Sequence, residues 1–121
     1  MTAEALLNRL AETLDEHRWD DLPALLHEEF TCTLVHTGEV FDRDSWVRLN
    51  ADYPGFEHLV VEELVGSGDR AVARAHVTGR DDAGALQHFG VATFITTRDG
   101  LIHTATEVWC DIGQAPPPGA R

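Results

Sequence analysis

Between residues 59 and 111 the chain alternates apolar and polar side chains, in stretches separated by turn-forming residues. The three connecting segments all contain Gly together with Asp, which is typical of tight turns between antiparallel strands. Alternation of period two predicts strands, because successive side chains of a strand point to opposite faces. The predicted strands cover residues 59–65, 70–79, 85–97 and 101–111.

The first half of the chain has helical spacing instead. A first helix is predicted over residues 3–17, with Thr2 as its N-cap. A short second helix follows a cap at Asp20 or Asp21, so the first two helices form a hairpin. A third helix begins at Asp42. The leucines that define the first helix are Leu6, Leu7, Leu10 and Leu14.

A small β-hairpin separates the second and third helices. Residues 30–36 alternate like a strand, and Thr37-Gly38 turns the chain into a short partner at 39–41. Helices first and a meander afterwards indicate an α+β fold, with three N-terminal helices on one face of a mainly antiparallel sheet. We expect a single domain over residues 1–112 and a flexible Pro-rich tail over 113–121.

The charge balance excludes several functions. Nine basic residues against 21 acidic ones give a net charge of −12, so the field of the protein repels nucleic acids and anionic lipid surfaces. All nine basic residues are Arg; without Lys there is no Schiff-base chemistry and no Walker-type phosphate lysine. No apolar run reaches the roughly 20 residues of a membrane span, so we expect a cytoplasmic protein.

Cysteine and histidine spacing predicts no metal site and no cofactor. Cys32 and Cys110 stand alone in strand-like segments, without a Cys-x-x-Cys motif. Strand parity places them on opposite faces of the sheet, so we expect free thiols. No two of the seven His have the spacing of a zinc-binding pair.

Glu107 is the most unusual residue of the predicted sheet. It lies near the middle of the last strand, two residues before Trp109 and on the same face. Desolvating a carboxylate is costly, so such a residue is at an edge, is paired, or serves chemistry. A salt bridge to Arg48 or Arg74 would be a purely structural explanation, and a pocket position would make Glu107 a general acid or base.

The order of elements and the segments 30–36, 69–79 and 98–109 resemble the NTF2-like superfamily, in particular its bacterial SnoaL-like members. The resemblance implies a cone, in which a curved sheet wraps the helices and leaves a pocket on its concave side. It also implies a homodimer through the convex face of the sheet. The family contains isomerases, cyclases, dehydratases, epoxide hydrolases and non-catalytic binding domains, so the fold alone assigns no activity.

The resemblance also assigns strand faces. In ketosteroid isomerases a tryptophan at the position of Trp109 points into the pocket, which places Glu107, Ala105 and His103 on the concave side. The neighbouring strand is then expected to point His88, Gly90, Ala92 and Phe94 inward. The apolar residues expected on the convex, dimer-forming face are Phe89, Val91, Ile95, Ile102 and Val108.

The resemblance does not extend to the ketosteroid isomerase mechanism. The proton-donating aspartate of that enzyme falls near Ala92, and its helix-1 tyrosine has no counterpart, since Tyr53 is the only Tyr. His36, on the apolar side of the first strand, lies close to the position of the catalytic base in relatives. We therefore expect Glu107 and His36 to form an acid–base pair. The expected substrate-binding residues are Trp109, Phe94, Trp46, Tyr53, His88 and Ala92.

These expectations define the function in general terms. The chain is expected to bind a small, mostly apolar organic molecule as its partner. If it is an enzyme, it catalyses proton transfer without a cofactor, as in isomerisation, cyclisation, dehydration or hydration. The alternative is a non-catalytic ligand-binding or dimerisation module, in which Glu107 is merely paired and side chains fill the pocket.

Overall fold

Both α-helices begin at the caps that the sequence predicts. A computed structural model describes residues 1–120, and in it α1 covers Ala3–Asp15 and α2 covers Arg43–Ala51. Thr2 Oγ1 accepts a hydrogen bond from the Ala5 amide at 3.1 Å, and Asp42 Oδ1 accepts one from the Ser45 amide at 2.9 Å. Each cap satisfies an amide that the helix itself leaves unpaired.

The predicted second helix is replaced by two 3-10 turns, Trp19–Asp21 and Pro23–Leu25. Strand β1 then begins at Leu26, four residues earlier than predicted. The backbone of Leu26 pairs with Ile102 of the last strand, and this sheet pairing takes the place of helical hydrogen bonds. Leu22, between the two turns, is fully buried and fixes the connection on the core. The helical hairpin is therefore absent.

One mixed sheet of six strands forms the rest of the domain, in the spatial order β2-β1-β6-β5-β4-β3. β1 and β6 are parallel, and all other neighbours are antiparallel. This curved, open sheet with helices confirms the α+β class and its mainly antiparallel character. The strands are β1 Leu26–Leu34, β2 Val40–Asp42, β3 Phe56–Ser67, β4 Arg70–Arg80, β5 Leu86–Arg98 and β6 Leu101–Asp111.

The core lies between α1 and the concave face of the sheet. The leucine side of α1 is buried, and the alanines of β4 face it as their alternation predicts. Ala71, Ala73 and Ala75 are at most 6% exposed, so their small side chains let the helix approach the sheet closely. The residues from other elements that complete this core include Phe30, Cys32, Trp46, Ile95, Ile102 and Ala105.

A β-bulge at His103 corrects the predicted faces of β5 and β6. Thr97 pairs with Ile102 but Thr96 pairs with Thr104, so β6 has one extra residue at this point. The predicted inward and outward sets of β5 are consequently exchanged. Phe89, Val91, Ile95 and Ile102 were expected outside but face the interior, and His88, Gly90, Ala92, Phe94 and His103 were expected inside but face outward.

Residues 112–120 follow the sheet and are exposed, with one 3-10 turn at Pro118–Ala120. Arg121, the last residue of the predicted tail, lies outside the described residues. The mobility of this tail stays a prediction. Neither α-helix of the described chain has the length and apolar composition required to cross a membrane.

Candidate functional site

An open cleft of about 920 Å³ lies between the helices and the concave face of the sheet. Its walls are mostly apolar and come from α1, from α2 and the turn after it, from the end of β1, and from strands β3 to β6. A cavity of this size can enclose most of a drug-sized molecule. The apolar residues that line it are Leu7, Leu10, Ala11, Leu14, Leu34, Trp46, Leu49, Tyr53, Pro54, Phe56, Leu59, Ala73, Ala75, Val77, Phe89, Val91 and Trp109.

Glu107 lies in this cleft, only 8% exposed, and its carboxylate accepts three hydrogen bonds. Trp109 Nε1 donates to Oε1 at 2.8 Å. Trp46 Nε1 and Cys32 Sγ both donate to Oε2, at 3.0 and 3.2 Å. The three donors come from β6, α2 and β1, so the carboxylate joins three elements at one point. Its fourth acceptor position, on Oε1, has no partner in the described residues.

The burial of Glu107 is not explained by a salt bridge to arginine. Arg74 lies on the other face of the sheet, where it pairs with Glu62 at 2.9 Å and with Glu63 at 2.8 Å. Indole and thiol donors therefore take the place of the arginine that would have been a purely structural explanation, and none of these donors carries a positive charge. An uncompensated buried carboxylate facing a cleft is a group that a ligand can use.

Cys32 is a donor in this network and no nucleophile. Burial is the main factor that raises the pKa of its thiol far above the ordinary range, and the charge of Glu107 and the hydrogen bond to it raise the pKa further. The Trp46 indole lowers it only slightly by comparison. The thiol therefore keeps its proton at neutral pH, and nucleophilic chemistry requires the thiolate.

Four of the predicted site residues line the same cleft as Glu107. Trp46 is almost fully buried beside the carboxylate, and Trp109 is half-buried. Tyr53, just after the end of α2, is 62% exposed at the mouth. His36 is exposed in the turn after β1, two residues beyond the buried Leu34.

Three predicted pocket residues are not brought to the cleft. His88, Ala92 and Phe94 lie on the outer face of β5, and Phe94 is 49% exposed. The bulge at His103 is the physical reason, because it changes which residues of β5 stand beside Glu107 and Trp109.

Residues that the sequence did not single out occupy these places. Thr93 pairs directly with Glu107 and Val91 with Trp109, and both line the cleft. Thr93 brings a hydroxyl next to the carboxylate, since cross-strand partners point to the same face. Asn50 on α2 is a second polar residue of the cleft, and its amide donates to the Trp46 carbonyl at 2.9 Å. Its spacing of four from Trp46 was the available signal.

The mouth of the cleft is acidic. Three carboxylates line it, from Asp81, Asp82 and Asp111. Among the described residues, Arg80 is the only arginine in the lining, and it is held by Glu57 at 3.2 Å and by the Gly84 carbonyl at 3.2 Å. The entrance therefore disfavours anionic molecules.

One group of possible metal ligands lies away from the cleft. Side-chain donor atoms of His27, Glu29 and His103 are all within 4.8 Å of one another. The Glu29 amide donates to His27 Nδ1 at 3.0 Å, so the proton of neutral His27 is on Nε2, which lies 3.5 Å from Asp99 Oδ2. Both nitrogens of His27 thus have partners, and a metal ion bound through either nitrogen would displace one of them.

The sequence matches the model of the SnoaL-like domain over residues 7–104. The match covers most of the chain, from within α1 to the first part of β6. The chain belongs to the SnoaL-like family. A search among curated proteins found no match for this SnoaL-like protein.

Solved structures with the same fold carry several activities in their names. A proposed ketosteroid isomerase from Kribbella flavida is 28% identical, with a TM-score of 0.83, over 95% of this chain and 82% of that one. A proposed polyketide cyclase from Streptomyces antibioticus is 17% identical, with a TM-score of 0.78, over 90% and 92%. An epoxide hydrolase from M. tuberculosis is 14% identical, with a TM-score of 0.75, over 89% and 82%.

Proposed function

We propose that this SnoaL-like protein binds a small, mostly apolar organic molecule in the cleft and places its polar group against Glu107. The observation that carries the proposal is the buried carboxylate in a mostly apolar cleft of about 920 Å³. Apolar walls supply binding through burial, and a single charged group fixes the orientation of the ligand. The free acceptor position on Oε1 calls for a donor on the ligand, such as a hydroxyl or an acidic C–H.

The chemistry that fits this arrangement is proton transfer without a cofactor. Glu107 would take a proton from a carbon next to a carbonyl group, or from a water molecule, and return it to the product. Thr93, beside Glu107, would donate a hydrogen bond to the ligand oxygen that gains charge. Isomerisation, cyclisation and water addition, which the names of the structural relatives mention, all have such a step.

The other proposed site residues act around this centre. His36 would complete the acid–base pair from the mouth of the cleft, where it stays accessible to solvent. Trp46 and Trp109 orient the carboxylate through their indole groups and form part of the wall. Tyr53 would cover the ligand from the entrance.

A second candidate function is ligand binding without catalysis. The observation in its favour is that Glu107 already accepts hydrogen bonds from Trp46, Cys32 and Trp109. A carboxylate with this role fastens α2, β1 and β6 together and needs no substrate. In that case the cleft would still bind an apolar molecule and would release it chemically unchanged.

The test replaces Glu107 while controlling for the lost hydrogen bonds. In Glu107→Gln the side-chain amide replaces one acceptor oxygen and faces an indole donor, so we expect a loss of about 1–3 kcal/mol in the free energy of unfolding. Trp109→Phe removes one indole donor and keeps the carboxylate. The double variant Glu107→Gln/Trp109→Phe has no carboxylate, and the Gln amide no longer faces the indole N–H of Trp109. Its stability should therefore exceed that of Glu107→Gln.

Binding and turnover are then compared between Trp109→Phe and the double variant. The probes are a ketosteroid, an aromatic polyketide ester and a terpene epoxide, with calorimetry for binding and chromatography for products. Catalysis by Glu107 predicts turnover of at least one probe by Trp109→Phe and none by the double variant. Equal turnover in both would contradict a catalytic Glu107. Binding without turnover in the wild type would support the second candidate.

A further inference from the structure

The buried carboxylate of Glu107 has no positively charged partner. It is 8% exposed, and none of the ion pairs among the described residues includes it. Its three hydrogen-bond donors, from Trp46, Cys32 and Trp109, are all uncharged. Such donors orient a carboxylate but leave its negative charge in place. A charge that is shielded from water attracts an opposite charge more strongly than an exposed one does.

The rest of the cleft adds no compensating charge. Within the described residues, Arg80 and His36 are the only basic side chains of the lining. Arg80 is already paired with Glu57 at 3.2 Å, and His36 is exposed in the turn after β1. Four acidic side chains against these two basic ones leave the lining negative, whatever the charge of His36. Besides Glu107, the acidic residues of the lining are Asp81, Asp82 and Asp111.

The walls of the cleft are compatible with a cation on an apolar skeleton. The faces of aromatic rings attract cations within about 6 Å, whereas aliphatic walls do not. Five aromatic side chains line the cleft, and the remaining apolar walls can cover the skeleton of a ligand. The aromatic residues of the lining are Trp46, Tyr53, Phe56, Phe89 and Trp109.

We propose that the cleft selects small organic cations, namely amines that are protonated at neutral pH and carried on an apolar skeleton, with the charged nitrogen against Glu107. An ammonium N–H can fill the free acceptor position on Oε1 as a charge-assisted hydrogen bond. Carboxylates and phosphates are excluded as ligands, since each would meet an unpaired negative charge. Glu107 is a counter-ion in this role, so the inference rests on the binding part of the proposed function and not on catalysis.

The experiment compares two probes with the same carbon skeleton, trans-4-phenylcyclohexylamine and trans-4-phenylcyclohexanol. Both offer a hydrogen-bond donor to the carboxylate, but only the amine is positively charged at neutral pH. Calorimetry on the purified full chain should show that the amine binds at least about tenfold more tightly than the alcohol. This preference should persist in about 0.5 M salt, because a buried ion pair is screened less than surface charges are.

Variants then locate the source of the preference. Trp109→Phe keeps the carboxylate and should still bind the amine more tightly than the alcohol. Glu107→Gln/Trp109→Phe should bind the two probes about equally. Glu28→Gln is the matched control for net charge, because it removes one negative charge from an exposed position on β1 outside the cleft, and it should keep the wild-type preference. Melting temperatures verify that each variant folds, and the salt measurement needs no variant.

The outcomes separate this inference from the proposed function. Equal affinities of the wild type for the two probes would overturn the inference and leave the proposed function intact, because the alcohol is itself a small, mostly apolar ligand with a donor. A preference that disappears in high salt, or that remains in Glu107→Gln/Trp109→Phe, would also overturn it. Binding of neither probe would contradict both the inference and the proposed binding in the cleft.

Discussion

Glu107 holds three elements of the fold together and is also the residue on which the proposed function depends. Its carboxylate accepts hydrogen bonds from Trp46, Cys32 and Trp109, which come from three different elements. Buried acceptors without donors are costly, so these contacts stabilise the fold as well as orient the carboxylate. Any loss of function in a Glu107 variant must therefore be separated from a loss of structure.

The raised pKa of Cys32 predicts a loss of stability at alkaline pH. The native pKa lies above the unfolded value, so the unfolded chain releases this thiol proton first as pH rises. The protonated Cys32 thiol contributes its full stabilisation below about pH 8.5, the usual pKa of a thiol. Above that pH the free energy of unfolding falls by up to about 1.4 kcal/mol per pH unit. Urea unfolding between pH 7.5 and 10 measures it.

Two alanine variants separate this effect from other titrations. In Cys32→Ala the free energy of unfolding should decline less steeply at alkaline pH than in the wild type. Cys110→Ala removes an exposed thiol, so its free energy of unfolding should decline as steeply as that of the wild type. An equally steep decline in Cys32→Ala would show that another group is responsible.

The sequence identified part of the site at this scale. Glu107 and Trp109 share a face by simple alternation on β6, and Trp46 lies on the buried side of α2. Thr93 and Asn50 were missed, because their positions depend on strand register and on how α2 packs. These long-range features leave no local pattern in the chain.

Among the elements, β6 explains why the residues of β5 were predicted on the wrong faces of the sheet. Simple pairing outward from the Asp99-Gly100 turn would place Gly90 beside Trp109 and Ala92 beside Glu107. One extra residue at His103 moves the pairing by one position, so that Val91 and Thr93 take those places. A one-residue shift exchanges the two faces of a strand, and a bulge is not visible in hydrophobic alternation.

The region after α1 differs from the predicted second helix for another reason. Residues 19–25 have helix-compatible composition, but a stretch of this length is too short to hold a helix without tertiary support. Pro23 also lacks an amide proton. The strand pairing of β1 with β6 determines the conformation instead, and sequence alone does not specify that partner.

The turn between α2 and β3 gives a prediction at the same scale. Gly55 has φ +83° and accepts a hydrogen bond from the Arg80 amide at 2.8 Å, while a Cβ on it would overlap the Arg80 carbonyl. Gly55→Ala should lower the free energy of unfolding by more than about 2 kcal/mol, from backbone strain and displacement of the turn. Chemical denaturation measures the change.

Gly68→Ala is the matched control. Gly68 also has positive φ, at +62°, but no atom of the described residues lies within 4 Å of a Cβ placed there. We expect a cost of about 1 kcal/mol from strain alone. Equal costs at Gly55 and Gly68 would mean that contact with β4 contributes nothing to the position of the turn.

For the whole molecule, the order of helices and strands was enough to predict the α+β class and the family. Both depend on patterns that repeat over many residues, such as the four leucines of α1 and the alanines of β4. The size of the cleft was beyond the sequence, because it depends on how far α1 and α2 fill the concave face.

The homodimer stays a prediction, but the residues available on the outer face of the sheet differ from those first expected there. Most of the apolar residues expected on the outer face are buried inside, but Phe94 and Val108 do lie there, 49% and 42% exposed. We expect these two to be covered by a second copy of the chain. Light scattering at micromolar concentration should give twice the chain mass, and Phe94→Glu should halve it. A monomer mass for the wild type would refute the dimer.

The two indoles bound to Glu107 also make the cleft observable. Two of the three tryptophans of the chain donate to the same carboxylate, one to each oxygen. A ligand that hydrogen-bonds to the carboxylate must disturb both indole N–H groups together, which changes their fluorescence and their side-chain NMR signals. Trp19, whose indole has no such bond, serves as an internal reference. The protein thus contains its own spectroscopic reporter for ligands of the cleft.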